Sequence, residues 1–238
     1  HPAFQKFKKD ELTTVNGGWK EEIEGIWIAK FEASNNGNNI IQVKPGVVSW
    51  GKITVNDIFT KCKEYNSELN SHMMKNSEWG AVAYLSKSKY GKEEEITINS
   101  NNSYYTGGGS GEAYKTNVGQ STTGNITGIY DISGGAIEYV ASYVNNENSY
   151  LQSYGASLVN SSEKHLKQVY SKGSSDEDEL NYQVNKGRYG DAVYETSIAG
   201  SGTTSWYGDF SNFLQTGYTF FTRGGHYSIG SYAGAFSF

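Results

Sequence analysis

The chain has 238 residues, with 25 acidic and 20 basic side chains, 36% hydrophobic residues and a mean hydropathy of −0.61. A net charge of −5, with Arg188 and Arg223 as its arginines, excludes the basic face that nucleic acid requires. The one cysteine, Cys62, excludes an intrachain disulfide or a cysteine-built zinc site, and no apolar run reaches the roughly 18 residues of a membrane-spanning helix. Aromatic content of 14% is too high for a disordered polymer, so Tyr and Phe supply much of the core. The 29 glycines among many Asn and Ser describe a loop-rich fold.

The chain opens at His1 rather than Met and reads as a trimmed piece of something longer. Residues 1–24 are a lead-in, and 25–238 form one domain with long loop insertions. Alternation over Gly25–Glu32 predicts a strand buried on both faces, carrying Trp27. Asn35–Asn39 is a turn cluster. Thr54–Asn70 predicts a helix capped by Thr54 or Asn56, with Cys62 on its apolar face as an inert thiol. Asn76–Ser88 predicts a second helix, capped by Asn76 or Ser77 without a capping box, burying Trp79, Val82, Ala83 and Leu85. Asn99–Thr123 has no periodicity and reads as a functional or mobile surface loop. Its Gly107–Gly109 run lacks the Lys-Ser/Thr and helix of a phosphate loop. Gly128–Val140 reads as an apolar element, a tight glycine turn and a strand. Asn145–Lys164 is a polar stretch, Glu163–Tyr170 a short helical turn, and Gly173–Glu179 a solvated acidic loop without EF-hand spacing.

Four segments carry a resemblance. Tyr130-Asp131-Ile132-Ser133-Gly134-Gly135-Ala136-Ile137-Glu138-Tyr139 resembles the "LYDMSGNVWEW" signature of proteins with the formylglycine-generating-enzyme-like fold. Phe221-Thr222-Arg223-Gly224-Gly225-His226 resembles the late "RGGSW" signature of that family. Trp79–Leu85 is similar to its "W-x-AVAYL" helix, and Gly25–Glu32 to its early "FWIGKYEVT" strand. The resemblance implies an α+β fold, a variant of the C-type lectin fold. Little regular structure is expected, with two short helices and a small antiparallel sheet. His1-Pro2-Ala3-Phe4 and Ser71–Ser86 fit the branch found on bacterial pilin-like surface proteins and phage proteins. That branch includes variable proteins of diversity-generating retroelements, whose residues after "RGG" are diversified.

The resemblance therefore implies a non-enzymatic head that binds a protein or glycan ligand, located at a bacterial surface or on a virion. A structural subunit of a pilus or tail is the alternative. The oxidase that names the family uses paired cysteines and copper, which Cys62 alone does not supply. His1, His72, His165 and His226 lack ligand-like spacing, so no metal site is assigned. The Asn that assists calcium binding in some relatives is Gly135 here, and calcium is the one cofactor left open.

Large aromatics on short Gly/Ser loops give contact area at low entropic cost. The candidate binding residues are thus Trp206, Tyr207, His226, Tyr227, Ile229, Ser231 and Tyr232. Trp206 and Phe236 are expected on the buried side, with His226, Tyr227 and Tyr232 outside. Trp27, Trp79, Glu138, Arg223, Gly224 and Gly225 are expected to hold the scaffold, and Glu138 is the best candidate for a perturbed carboxylate.

Overall fold

A computed structural model describes residues 26–238, and the expected lead-in lies outside the described residues. The elements in chain order are β1 (Ala33–Asn35), β2 (Ile41–Val43), α1 (Val55–Tyr65), α2 (Asn76–Ser86) and β3 (Glu138–Asn145). Then follow α3 (Ser149–Val159), β4 (Gln168–Ser171), α4 (Asp178–Val184), β5 (Thr203–Thr204), β6 (Phe210–Ser211) and β7 (Phe220–Arg223). Short 3-10 turns punctuate the loops. The architecture is α+β, with four α-helices and small sheets among the described residues.

β3 is the organising strand. It lies between β4 and β7, antiparallel to β7 with Glu138 opposite Arg223, and parallel to β4 with Ser142 opposite Gln168. The sheet is therefore mixed rather than antiparallel as expected. A parallel pair needs a crossover of a dozen or more residues, usually helical, and α3 supplies it within Asn145–Lys164, read from the sequence only as a polar stretch. Alternate residues of β3 serve two cores. Val140 and Val144 pack with Trp79, Phe213, Phe221 and Phe236. Ala141 and Tyr143 pack with Val55 and Phe59 of α1 and Leu151 and Leu158 of α3. Phe220 and Phe221 of β7 divide in the same way.

α1 is capped by Thr54 Oγ1, which accepts from Asp57 N at 3.2 Å. Half-buried Cys62 packs against the second core, where burial pushes its thiol up to about 12. α2 begins at Asn76 as expected and ends at Ser86, but its N-cap is Lys75 rather than Asn76 or Ser77, and Glu78 Oε2 accepts from Lys75 N at 2.9 Å. Half of a capping box thus exists where the sequence pattern excluded one, because the cap residue is not Ser or Thr. All of α2 is buried except Leu85, which the expected stripe placed inside.

The alternation over Gly25–Glu32 does not produce a strand. Residues 26–32 carry no strand, only Phe31 and Glu32 are buried, and Trp27 is 99% exposed, so it holds no scaffold among the described residues. Alternation specifies a strand only where a partner strand takes its hydrogen bonds, and among the described residues strand pairing starts at Ala33–Asn35. Asn35–Asn39 does turn, with Asn35 Oδ1 accepting from Gly37 N and Asn39 N at 2.9 and 3.0 Å. The aperiodic Asn99–Thr123 segment is tied down by side chains. Asp131 Oδ1 accepts from Gly107 N at 2.8 Å and from Asn99 Nδ2 at 3.0 Å. The expected acidic loop is likewise built in, since the Asp176 carboxylate accepts from Asn181, Asn146 and Thr216 at 2.8–2.9 Å.

Candidate ligand-binding surface

β5 and β6 form a hairpin whose connection is a 3-10 turn, Trp206–Gly208. Asp209 closes it, its carbonyl accepting from Ser205 N at 2.7 Å. Tyr207 sits at φ +63°, a left-handed conformation that is strained for a bulky residue. The turn pushes rings outward: Trp206 is 42% exposed, Tyr207 38% and Phe210 40%. Tyr232, on a second 3-10 turn, is 54% exposed and meets Phe210 edge-on at 6.4 Å.

Phe236 is the buried base of this surface. Its ring lies 5.1 Å from Trp206, 6.0 Å from Tyr207 and 6.1 Å from Tyr84. Lys87 Nζ stands 4.8 Å from the Tyr207 ring, and Tyr207 Oη donates to Glu93 O at 3.3 Å. Phe236 is buried as expected, but Trp206 is not. Its indole covers Tyr84 and Phe236 with one face and leaves the rest to solvent.

The structure thus brings Trp206, Tyr207 and Tyr232 into one aromatic surface and adds Phe210, which the sequence reading missed. Strict alternation within a two-residue strand gave no signal for it. His226 and Tyr227 are half-buried and pair elsewhere. Tyr227 meets Tyr104 edge-on at 5.2 Å, and His226 Nδ1 is 3.0 Å from Ser228 Oγ. Ser231 is exposed beside Tyr232, whereas half-buried Ile229 packs toward Gly225.

Beneath these loops the scaffold residues converge. Trp79 Nε1 donates to Ala235 O at 2.7 Å. Arg223 is fully buried between the Trp79 and Phe238 rings, and its Nη2 donates to Ala192 O at 3.1 Å. Burial lowers its pKa to about 10, so it stays charged at neutral pH. Gly224 and Gly225 both have positive φ, and Gly224 O accepts from Gly134 N at 2.9 Å, joining the two glycine turns. A side chain at Gly225 would meet Ala233 Cα at 2.8 Å.

Two sets of carboxyls are buried here. Glu32, Asp131 and Glu138 form the first, and Glu32 Oε1 and Glu138 Oε2 have no protein hydrogen-bond partner. Burial, then mutual repulsion, raises Glu32 and Glu138 well above the usual range, and burial raises Asp131 to about 6. Asp191 and Asp209 belong to the second. Burial raises each to about 7, with Glu195 adding to the effect at Asp191 and Glu95 at Asp209. Among the described residues, no group of three or more His, Cys, Asp or Glu is arranged to hold a metal ion.

These raised carboxyls bind protons more tightly folded than unfolded; the contribution of Asp131, Asp191 and Asp209 falls as pH rises from about 4 through about 7, and Glu32 and Glu138 act in the same direction. His72, raised by its hydrogen bond to Glu78, loses its contribution in the same direction. Glu78 is lowered, against its own burial, by His72 and Lys75, and loses stability only in stronger acid. The expected result is a higher melting temperature at about pH 5.5 than at about pH 8. A calorimetric Tm that rises steadily across that interval contradicts this account.

No protein-family model matches the chain, and no curated protein matches it. No helix among the described residues is long and apolar enough to cross a membrane.

Proposed function

We propose that this chain is a non-enzymatic ligand-binding head that presents the Trp206, Tyr207, Phe210 and Tyr232 rings to a protein or glycan. Its architecture is read as the formylglycine-generating-enzyme-like variant of the C-type lectin fold. Its setting is a bacterial surface or a virion, and a retroelement-diversified variable protein is a special case. The α+β arrangement and the junction of the two glycine turns support the family reading.

The observation that carries the binding reading is Tyr207. A bulky residue is held at φ +63°, where glycine is favoured, and its ring, seated on Phe236, stays 38% exposed near three other exposed aromatics. Strain of this kind costs on the order of 1–3 kcal/mol and clusters at functional sites. Tyr207→Gly removes the ring and the strain together. The expected result is a melting temperature within a few degrees of wild type, with binding weakened about 30-fold, the size of an interface anchor. Arrays of glycans and of surface proteins, read with wild type, Tyr207→Gly and Tyr232→Ala, measure this. Unaltered binding by both variants refutes the reading. Intact binding with loss of assembly into a fibre instead supports a structural subunit.

A further inference from the structure

The second core leaves an open groove on the other side of the central sheet from the aromatic surface. Its volume is about 810 Å³, within the ~300–1,000 Å³ of small-molecule sites. One wall is the outer face of α1 with Ser67 after it; the other is the last turn of α3 with Asn160–Glu163. We propose that this groove binds a neutral, polyhydroxylated ligand, a short oligosaccharide. This site is separate from the aromatic surface and does not depend on the function assigned to it.

The lining decides the chemistry. Its one hydrophobic member, Phe59, is only 3% exposed and offers no apolar anchor. A peptide ligand draws most of its affinity from such anchors, and a lipid depends on them still more. Lys63 is the groove's one basic residue, and it is already ion-paired with Glu163 across the two walls. A phosphate or nucleic acid would have to break that pair, with Glu64 repelling it close by. What remains is hydroxyl and amide groups: Thr60, Ser67, Ser157, Asn160 and Ser162. The Thr60 and Ser157 hydroxyls already donate to Asn56 O and offer lone pairs, while Ser67 and Ser162 can both donate and accept, as sugar hydroxyls do.

The walls are also held in register before any ligand arrives. Ser157 N donates to Asn56 Oδ1 at 2.9 Å, and Ser157 Oγ donates to Asn56 O at 2.7 Å, tying α3 to α1. Preorganisation of this kind removes part of the ordering cost that weakens polar sites.

Saturation-transfer NMR with maltotriose, cellotriose and chitotriose at millimolar concentration tests the assignment, with sialyllactose as the charged comparison. Ser67→Trp and Ser162→Trp fill the groove from opposite walls at exposed positions, so at least one is expected to keep the wild-type melting temperature. The expected result is transfer to a neutral trisaccharide in wild type and in Tyr207→Gly, lost in the groove-filling variants. Absence of transfer to all three neutral sugars overturns the proposal. So does equal or stronger transfer to sialyllactose. Transfer that survives both tryptophans but disappears in Tyr207→Gly places the sugar on the aromatic surface and also overturns it.

Discussion

Arg223→Ala is expected to destabilise the protein by more than about 4 kcal/mol, enough to unfold a domain of ordinary stability near physiological temperature. Arg223 is among the largest fully buried side chains, and it fills the space between Trp79 and Phe238. Truncation leaves a cavity among rings that are held by other contacts, and it strips Asp191 of a charge that holds its pKa down. The opposing effect is real. Nε and Nη1 of Arg223 have no protein acceptor, and burying such donors costs about 1–3 kcal/mol. Arg223→Met separates the two effects, because it fills much of the volume without the charge. Its expected cost is roughly half that of alanine, since the cavity term is largely removed. Asp191 should then titrate higher, steepening the loss of stability between about pH 6 and about pH 8. Urea titrations of both variants at the two pH values measure this. A methionine variant as unstable as alanine shows that the charge, not the volume, is what the core requires.

Gly80→Ala is expected to cost about 2–3 kcal/mol, opposite in sign to its effect on an isolated helix. Gly80 lies inside α2, where alanine normally gains about 1 kcal/mol over glycine. Here the added carbon would lie 2.7 Å from Asp191 C and 2.8 Å from Asp191 Cα, and closer still to Gly190 O. These are backbone atoms of a segment that cannot retreat. Glu195 Oε1 accepts from Gly190 N at 2.6 Å, and Asp191 Oδ2 accepts from Tyr170 Oη at 2.6 Å and Gln168 Nε2 at 3.2 Å. Gly51→Ala, with nothing within 4 Å, is the matched control and is expected to be neutral. A thermal melt in which Gly80→Ala gains stability shows that the 190–191 segment yields.

The sequence disclosed what depends on repeated apolar spacing. α1 and α2 are legible because Val55 and Phe59, or Trp79 and Val82, recur at helical intervals. α3 is obscured because Leu151, Gly155 and Leu158 are its only buried residues, set among Ser, Tyr and Gln. α4 is a seven-residue helix that opens with Asp178 and Glu179, so its composition resembles solvated loop. The buried charges are the larger omission. Nothing in the order of residues says that Glu32 will lie beside Asp131 and Glu138, because that meeting is made by turns far apart in the chain. For the aromatic surface, composition marked loops that do carry exposed rings but not the direction of each ring. Trp206 points outward because the left-handed Tyr207 beside it turns the backbone, and bulk alone predicted the reverse.

β3 draws both of its sheet neighbours, and Phe213, Phe221 and Phe236 of the first core, from segments on its C-terminal side, with β7 about 80 residues further along the chain. Loop closure over such distances must be made before the contacts repay it. During synthesis, a ribosome-bound chain ending before Phe220 holds Val140, Val144 and Trp79 with no Phe221 or Phe236 to cover them. Folding of the first core therefore waits for residues 220–238 to emerge. Until then its hydrophobic face is a natural substrate for chaperones, and the slow phase of refolding should follow mutations in β7 rather than in α1.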